Sequence, residues 1–262
     1  MPRFTVISRE HHAAKRWQRY TSYAFAAADA VVPLVAHELP PAVLSLPIGF
    51  IQAGDQFIPV AVFGLKSGQN LFVTPDGRWL GGYIPAAYRG YPFALASTEE
   101  GQQVLCIDED SGLLSETEGE AFFGEDGQPA QGVKDVLDFL TQVAQNRQAT
   151  QRICAVLQQH NLVQPWLIKM QSEEGEKSIE GLFRIDEAAL NQLPAEAFED
   201  LRQGGGLPIA YCQLLSMRHL PRLGALAQAH AQTTAPLPQT PSGELSLEFL
   251  NDNGTIHFGN LH

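Results

Sequence analysis

The amino-acid sequence predicts an α+β fold: an N-terminal antiparallel sheet, a helical second half with its own hairpin, and a C-terminal β-hairpin extension. Short apolar runs bounded by Gly, Asp and Asn crowd the first part of the chain, which is the signal of strands. From residue 132 onward apolar side chains recur at spacings of three and four, one stripe per helix. Near the end Leu245, Leu247 and Phe249 alternate, Asn-Asp-Asn-Gly comes next, and Ile256 and Phe258 then share a face. Asn-Gly is the favoured two-residue hairpin turn.

Along the chain, Phe4–Ile7 is a β-branched and aromatic strand. His37–Leu46 is a helix candidate whose Pro40-Pro41 pair must sit in the first turn, where a missing N–H costs little. Pro47–Ile51, Phe57–Leu65 and Asn70–Thr74 make an antiparallel meander, closed by the turn Pro75-Asp76-Gly77. Val104–Ile107 is a further strand. Gly132–His160 is helical, with Val133, Val136, Leu137, Leu140, Val143, Ile153, Val156 and Leu157 on its stripe. Leu167–Met170 and Ile179–Arg184 form a hairpin around a polar loop. Asp186 caps the next helix, its carboxylate placed to accept orphan N–H groups. Glu196–Arg202 is a helical turn that Gly204-Gly205-Gly206 stops, and Leu207–Ala229 is a last amphipathic helix kinked at Pro221. The boundaries expected are one domain over residues 1–230, a Thr/Pro/Gln/Ser linker over 231–243, and the hairpin appendage over 244–262. An isolated two-stranded ribbon is marginal in water, so the appendage needs a surface to cover, either the main sheet or another copy of the chain. A homo-oligomer through the C-terminal hairpin is one expectation.

At 262 residues with 44% apolar content the chain buries a core without metals or disulfides. Its net charge of −12 repels phosphate backbones and anionic headgroups, so no nucleic-acid partner is expected. Cys106, Cys154 and Cys212 lie far apart in apolar runs with no Cys-x-x-Cys, which predicts reduced, buried thiols. No apolar run is long enough to cross a membrane, and Glu10 and Asp29 break the pattern a signal peptide needs. No membrane insertion and a cytoplasmic location are expected.

Catalytic and metal motifs are hard to find. The eight histidines form no His-Glu-x-x-His, and no Gly-x-Ser-x-Gly elbow is present. The acidic run Asp108–Asp126 opens like a calcium loop, but Gly112 arrives one position early, so it is read as a solvated acidic loop. Neither a metal nor a cofactor is expected. The most distinctive segment is Trp79–Phe93, where Trp79, Tyr83, Tyr88 and Tyr91 surround Arg89. Arginine stacks on aromatic faces and grips carboxylates, so these five residues are the candidate ligand-binding set. The structural alternative is that the aromatics fill a core and Arg89 pairs with a nearby acid.

In succession, Pro47-Ile-Gly-Phe50, the run from Ile58 to Leu65, Gln69–Val73, Trp79–Phe93, Phe122–Pro129, the stretch from Gly181 and LPIAYCQLLSM from Leu207 resemble the SapC family. The likeness covers residues 20–225, and the C-terminal hairpin is an extension beyond it. The resemblance implies a fold and a surface-layer association, with no reaction, cofactor or catalytic residue to carry over. Together these readings predict a non-enzymatic accessory or binding protein that recognises a protein or peptide partner. The alternative is an enzyme or enzyme subunit whose site is assembled from distant residues.

Overall fold

A computed structural model describes residues 2–98, 101–172 and 175–234. The chain begins with β1 (Phe4–Val6), α1 (Arg9–His12), β2 (Arg16–Trp17) and β3 (Val31–Pro33). A single turn over Ala36–Glu38 then leads into α2 (Leu39–Ala42), with the Pro40-Pro41 pair inside that short helix as its spacing required. β4 (Ile48–Ala53) and β5 (Gln56–Val62) form a hairpin whose tight turn uses Gly54 at φ +60°. After α3 (Ala86–Arg89) come β6 (Phe93–Ser97), β7 (Gln103–Asp108), β8 (Leu114–Ser115) and β9 (Glu120–Ala121). The long α4 (Gln131–Gln159) is next, and then β10 (Val163–Pro165), β11 (Ile168–Ser172), β12 (Gly175–Ile179) and β13 (Phe183–Ile185). Helices α5 (Glu187–Asn191), α6 (Ala195–Gln203), α7 (Gly206–Ser216) and α8 (Leu220–Thr234) end the described chain.

The mixed architecture agrees with the sequence reading, and three of its details correct it. Asn70–Thr74 adds no strand to the main sheet. The Asn70 side chain accepts the Phe72 N–H at 2.9 Å, and Leu71, Phe72 and Val73 are all buried instead of alternating. The place beside β5 goes to β3, in the register Val31↔Val62. The expected strand Ile179–Arg184 is divided at Gly181, φ +83°. Its first part belongs to the β11–β12 hairpin, and its continuation, β13, pairs with β10 and β4. The main sheet therefore runs β10–β13–β4–β5–β3 and draws on both halves of the sequence, so the second half is not purely helical. Finally, Leu207–Ala229 is two helices separated by a turn at Met217–His219. Pro221 sits in the first turn of α8, among donors that are orphaned anyway. Helix α8 runs on to Thr234, past the boundary expected at 230. The rest of the expected linker and the expected C-terminal hairpin lie outside the described residues.

Among the described residues two hydrophobic clusters hold the fold. The larger packs Ile48, Phe50, Val60, Val62, Phe63 and Phe72 against Cys154 and Leu157 of α4 and Ile209 of α7. The smaller gathers Trp17, Phe93, Ile107, Phe122 and Val133 where the short sheets meet the first half of α4. At a rise of about 1.5 Å per residue α4 spans roughly 43 Å, which lets it serve both. Where β4 and β13 share only the pair Phe50↔Phe183, α7 supplies the missing bonds. Gln213, fully buried, accepts the Ile185 N–H at 2.9 Å and donates to the Ile48 carbonyl at 3.2 Å, and Ser216 accepts the Ile48 N–H at 3.0 Å.

Candidate functional site

The aromatic segment is organised around α3. Pro85, extended at ψ 147°, opens this single turn and Gly90 closes it. A Cβ on Gly90 would stand 2.7 Å from Leu140 Cδ2, so a larger residue here would make the Leu140 side chain shift. The chain then passes a cis Tyr91–Pro92 peptide into β6.

On one side of α3 lies the buried carboxylate of Glu38. Its Oε1 accepts the Ala86 N–H at 2.6 Å and the Tyr83 hydroxyl at 3.0 Å, and its Oε2 accepts the Val35 N–H at 3.1 Å. Arg89 donates from Nη2 to the Tyr83 hydroxyl at 3.2 Å and lies 3.7 Å from Glu38 Oε1. Its guanidinium also stands over the rings of Phe139 at 5.1 Å and Tyr83 at 5.7 Å. Burial, with the Glu38 charge second, pushes the Tyr83 phenol up to about 12. Trp79 donates its indole N–H to the Tyr83 carbonyl at 3.1 Å and packs on Phe63 and Tyr88. The structure thus joins Trp79, Tyr83 and Arg89 into one network that fixes α3.

On the other side the Tyr88 hydroxyl donates to Asp29 Oδ2 at 3.1 Å and receives a bond from Asn70 Nδ2 at 3.3 Å. Burial raises the Tyr88 phenol far above its ordinary value and also raises the Asp29 carboxyl, against the opposing pull of the Tyr88 bond. Tyr88, Asp29 and Tyr91 line an open cleft of 620 Å³ between β3 and the end of β7. Phe4, Val31 and Phe25 add apolar walls, and Phe25 stacks on Tyr91 with ring centroids 3.9 Å apart. Tyr20 meets both of those rings edge-on. Tyr20, Tyr23 and Phe25 lie outside the candidate set read from the sequence. Their close spacing in Tyr20–Phe25 is the available signal, but nothing local pairs them with a segment far along the chain.

Most acids of the acidic run are exposed, as a solvated loop requires, while Asp108 and Glu109 are drawn against the body of the fold. Arg3 and Lys15 both pair with Glu109, at 2.8 and 3.3 Å, and Arg19 pairs with Glu120 at 3.0 Å. Asp108 is buried and accepts the backbone N–H groups of Arg3 and Asp110. Among the described residues no group of three His, Cys, Asp or Glu side chains is arranged to hold a metal. Burial raises all three thiols and lowers His12, whose ring packs on Phe122. His160 Nε2 meets Asp200 at 2.7 Å, but among the described residues no Ser, Thr or Cys hydrogen-bonds to that imidazole. No described helix is long and apolar enough to cross a membrane.

Residues 7–223 match the family model described as SapC. No curated protein and no solved structure matches the chain.

Proposed function

The chain belongs to the SapC family, and from that premise and the cleft we propose that it is a non-enzymatic accessory protein that binds a protein or peptide partner. The surface-layer association that the family's name implies is part of this proposal, as is a cytoplasmic location. The observation that carries the reading is the open cleft walled by the stacked Phe25–Tyr91 pair and floored by Tyr88. Partly buried aromatic walls on an open cleft, beside a few polar groups, suit recognition of another chain. Tyr88 and Tyr91 are the contact residues; Trp79, Tyr83 and Arg89 hold the turn that presents them. An enzyme reading finds less support, because the thiols have raised pKa values and the His160–Asp200 pair has no nucleophile beside it among the described residues.

Selection of random displayed peptides on the immobilised full chain tests the proposal. Enrichment on the wild-type chain that is lost with Tyr91→Ala is expected. Failure to enrich any sequence, with the chain shown folded by circular dichroism, overturns it.

A further inference from the structure

The lining of the cleft narrows what can enter it, an inference that rests on the binding function proposed for the chain. Its charged lining has one sign. Among the described residues Asp29, Asp108 and Asp110 line it, and no Lys, Arg or His does. Two of these acids are already engaged. Asp108 accepts two backbone N–H groups, and Asp110 lies 3.6 Å from Arg3 Nε. Asp29 receives the Tyr88 hydroxyl, and among the described residues no cation pairs with it. Its carboxyl is raised by burial, as expected of a charge short of both solvent and donors.

The rim of the cleft offers backbone as well. β3 is the outer strand of the main sheet. Ala30 and Leu34 spend their groups inward, Ala30 O accepting the Phe63 and Gly64 N–H groups and Leu34 N–H donating to Pro59 O at 2.8 Å. In an antiparallel ladder the intervening residue points the other way. Val31 therefore turns its N–H and C=O out from β5, and it lines the cleft. Pro33, which has no N–H to offer, limits how far pairing can extend along this edge.

We propose that the cleft takes an extended peptide bearing one lysine or arginine, its backbone pairing at Val31 and its cationic head resting on Asp29 beside the Phe25 and Tyr91 rings. Three features favour that occupant together. An extended backbone satisfies an edge that no described strand covers, aromatic faces attract an ammonium or guanidinium, and a cation supplies the partner that Asp29 lacks among the described residues. An anionic segment would instead meet three carboxylates.

The test uses random 12-mers displayed against the full chain, then titration of the best enriched peptide in synthetic form. One position enriched in Lys or Arg is expected. Asp29→Asn should weaken that peptide by about tenfold or more, and exchanging its basic residue for norleucine should weaken it equally on the wild type yet hardly at all on Asp29→Asn. Glu125→Gln removes an exposed acid elsewhere and should change affinity by less than about twofold. Enriched peptides without a basic position, or equal losses in the Asp29 and Glu125 variants, would overturn the cation assignment and leave peptide binding standing. No enrichment at all would sink the binding function together with it.

Discussion

Glu38 and Asp29 are carboxylates on either side of the same short helix, α3, and the fold treats them differently. Glu38 is buried and saturated by two backbone N–H groups and a tyrosine hydroxyl, with Arg89 alongside. Asp29 is partly buried on a cleft and, among the described residues, receives one hydroxyl. Both sit beside a tyrosine of the same aromatic segment, so residue type and neighbourhood in the sequence do not separate them. What separates them is the number of donors each has already accepted. A saturated carboxylate organises its own chain, and an unsaturated one beside open space has bonding capacity left for a ligand.

Removing the saturated group should cost most. Glu38→Ala strands the N–H groups of Val35 and Ala86 and should lower stability by roughly 2–5 kcal/mol, read from urea midpoints. A loss below about 1 kcal/mol would erase the distinction between the two acids. Gln213→Leu extends the same rule to an uncharged group, since it strands the Ile185 N–H and removes a donor from the Ile48 carbonyl. A cost of about 1–3 kcal/mol is expected there.

Arg89→Ala should cost only about 0–1 kcal/mol, because its side chain is 43% exposed and Glu38 keeps three other donors. Arg89→Lys keeps the charge but loses the planar stack over Phe139, and its midpoint should fall between wild type and alanine. A large loss in either variant would make Arg89 part of the buried node instead of its cap.

The smallest effect belongs to Asp29→Asn, and its sign should be opposite at neutral pH. The Asp29 carboxyl is raised in the folded state, so the folded chain binds more protons than the unfolded chain from the ordinary aspartate value of 3.8 up to the raised one. Stability contributed by this group is therefore lost as pH rises through that window. Melting curves should show Asp29→Asn equal to or slightly above wild type at pH 7, by less than about 1 kcal/mol, with the gap closing as pH falls toward 3.8. A variant markedly less stable at pH 7 would place Asp29 with the structural carboxylates.

Much of the fold is legible along the chain. Gly54 between two β-rich runs marks the β4–β5 hairpin, the stripe from Val133 to Leu157 marks α4, and Asp186 caps α5 by accepting the Ala189 N–H. Each of these signals acts within a turn or two of the residue that sends it. The candidate site is legible in part. The density of aromatics around Arg89 points to the right segment, and an acid beside Arg89 is the structural alternative that its chemistry already offers. That the acid is Glu38, with Arg89 on one side of α3 and Tyr88 and Tyr91 on the cleft, is not readable. Asp29 stands out only as a charge interrupting an alanine-rich stretch.

Helix stripes, caps and turns thus come from residue order alone, because a dihedral preference or a 3.6-residue period is satisfied by near neighbours. Folding settles which strand lies beside which and which polar group is left wanting. Residues 70–74 carry as good a strand pattern as 31–33, yet β3 takes the edge of the sheet, and β13 reaches it from the far side of α4. Glu38 finds its donors at Ala86 and Tyr83, and Asp29 finds one at Tyr88, across separations no local rule spans. Such pairings are decided by the competition of all buried groups for a limited set of partners, and that competition exists only once the chain has closed on itself.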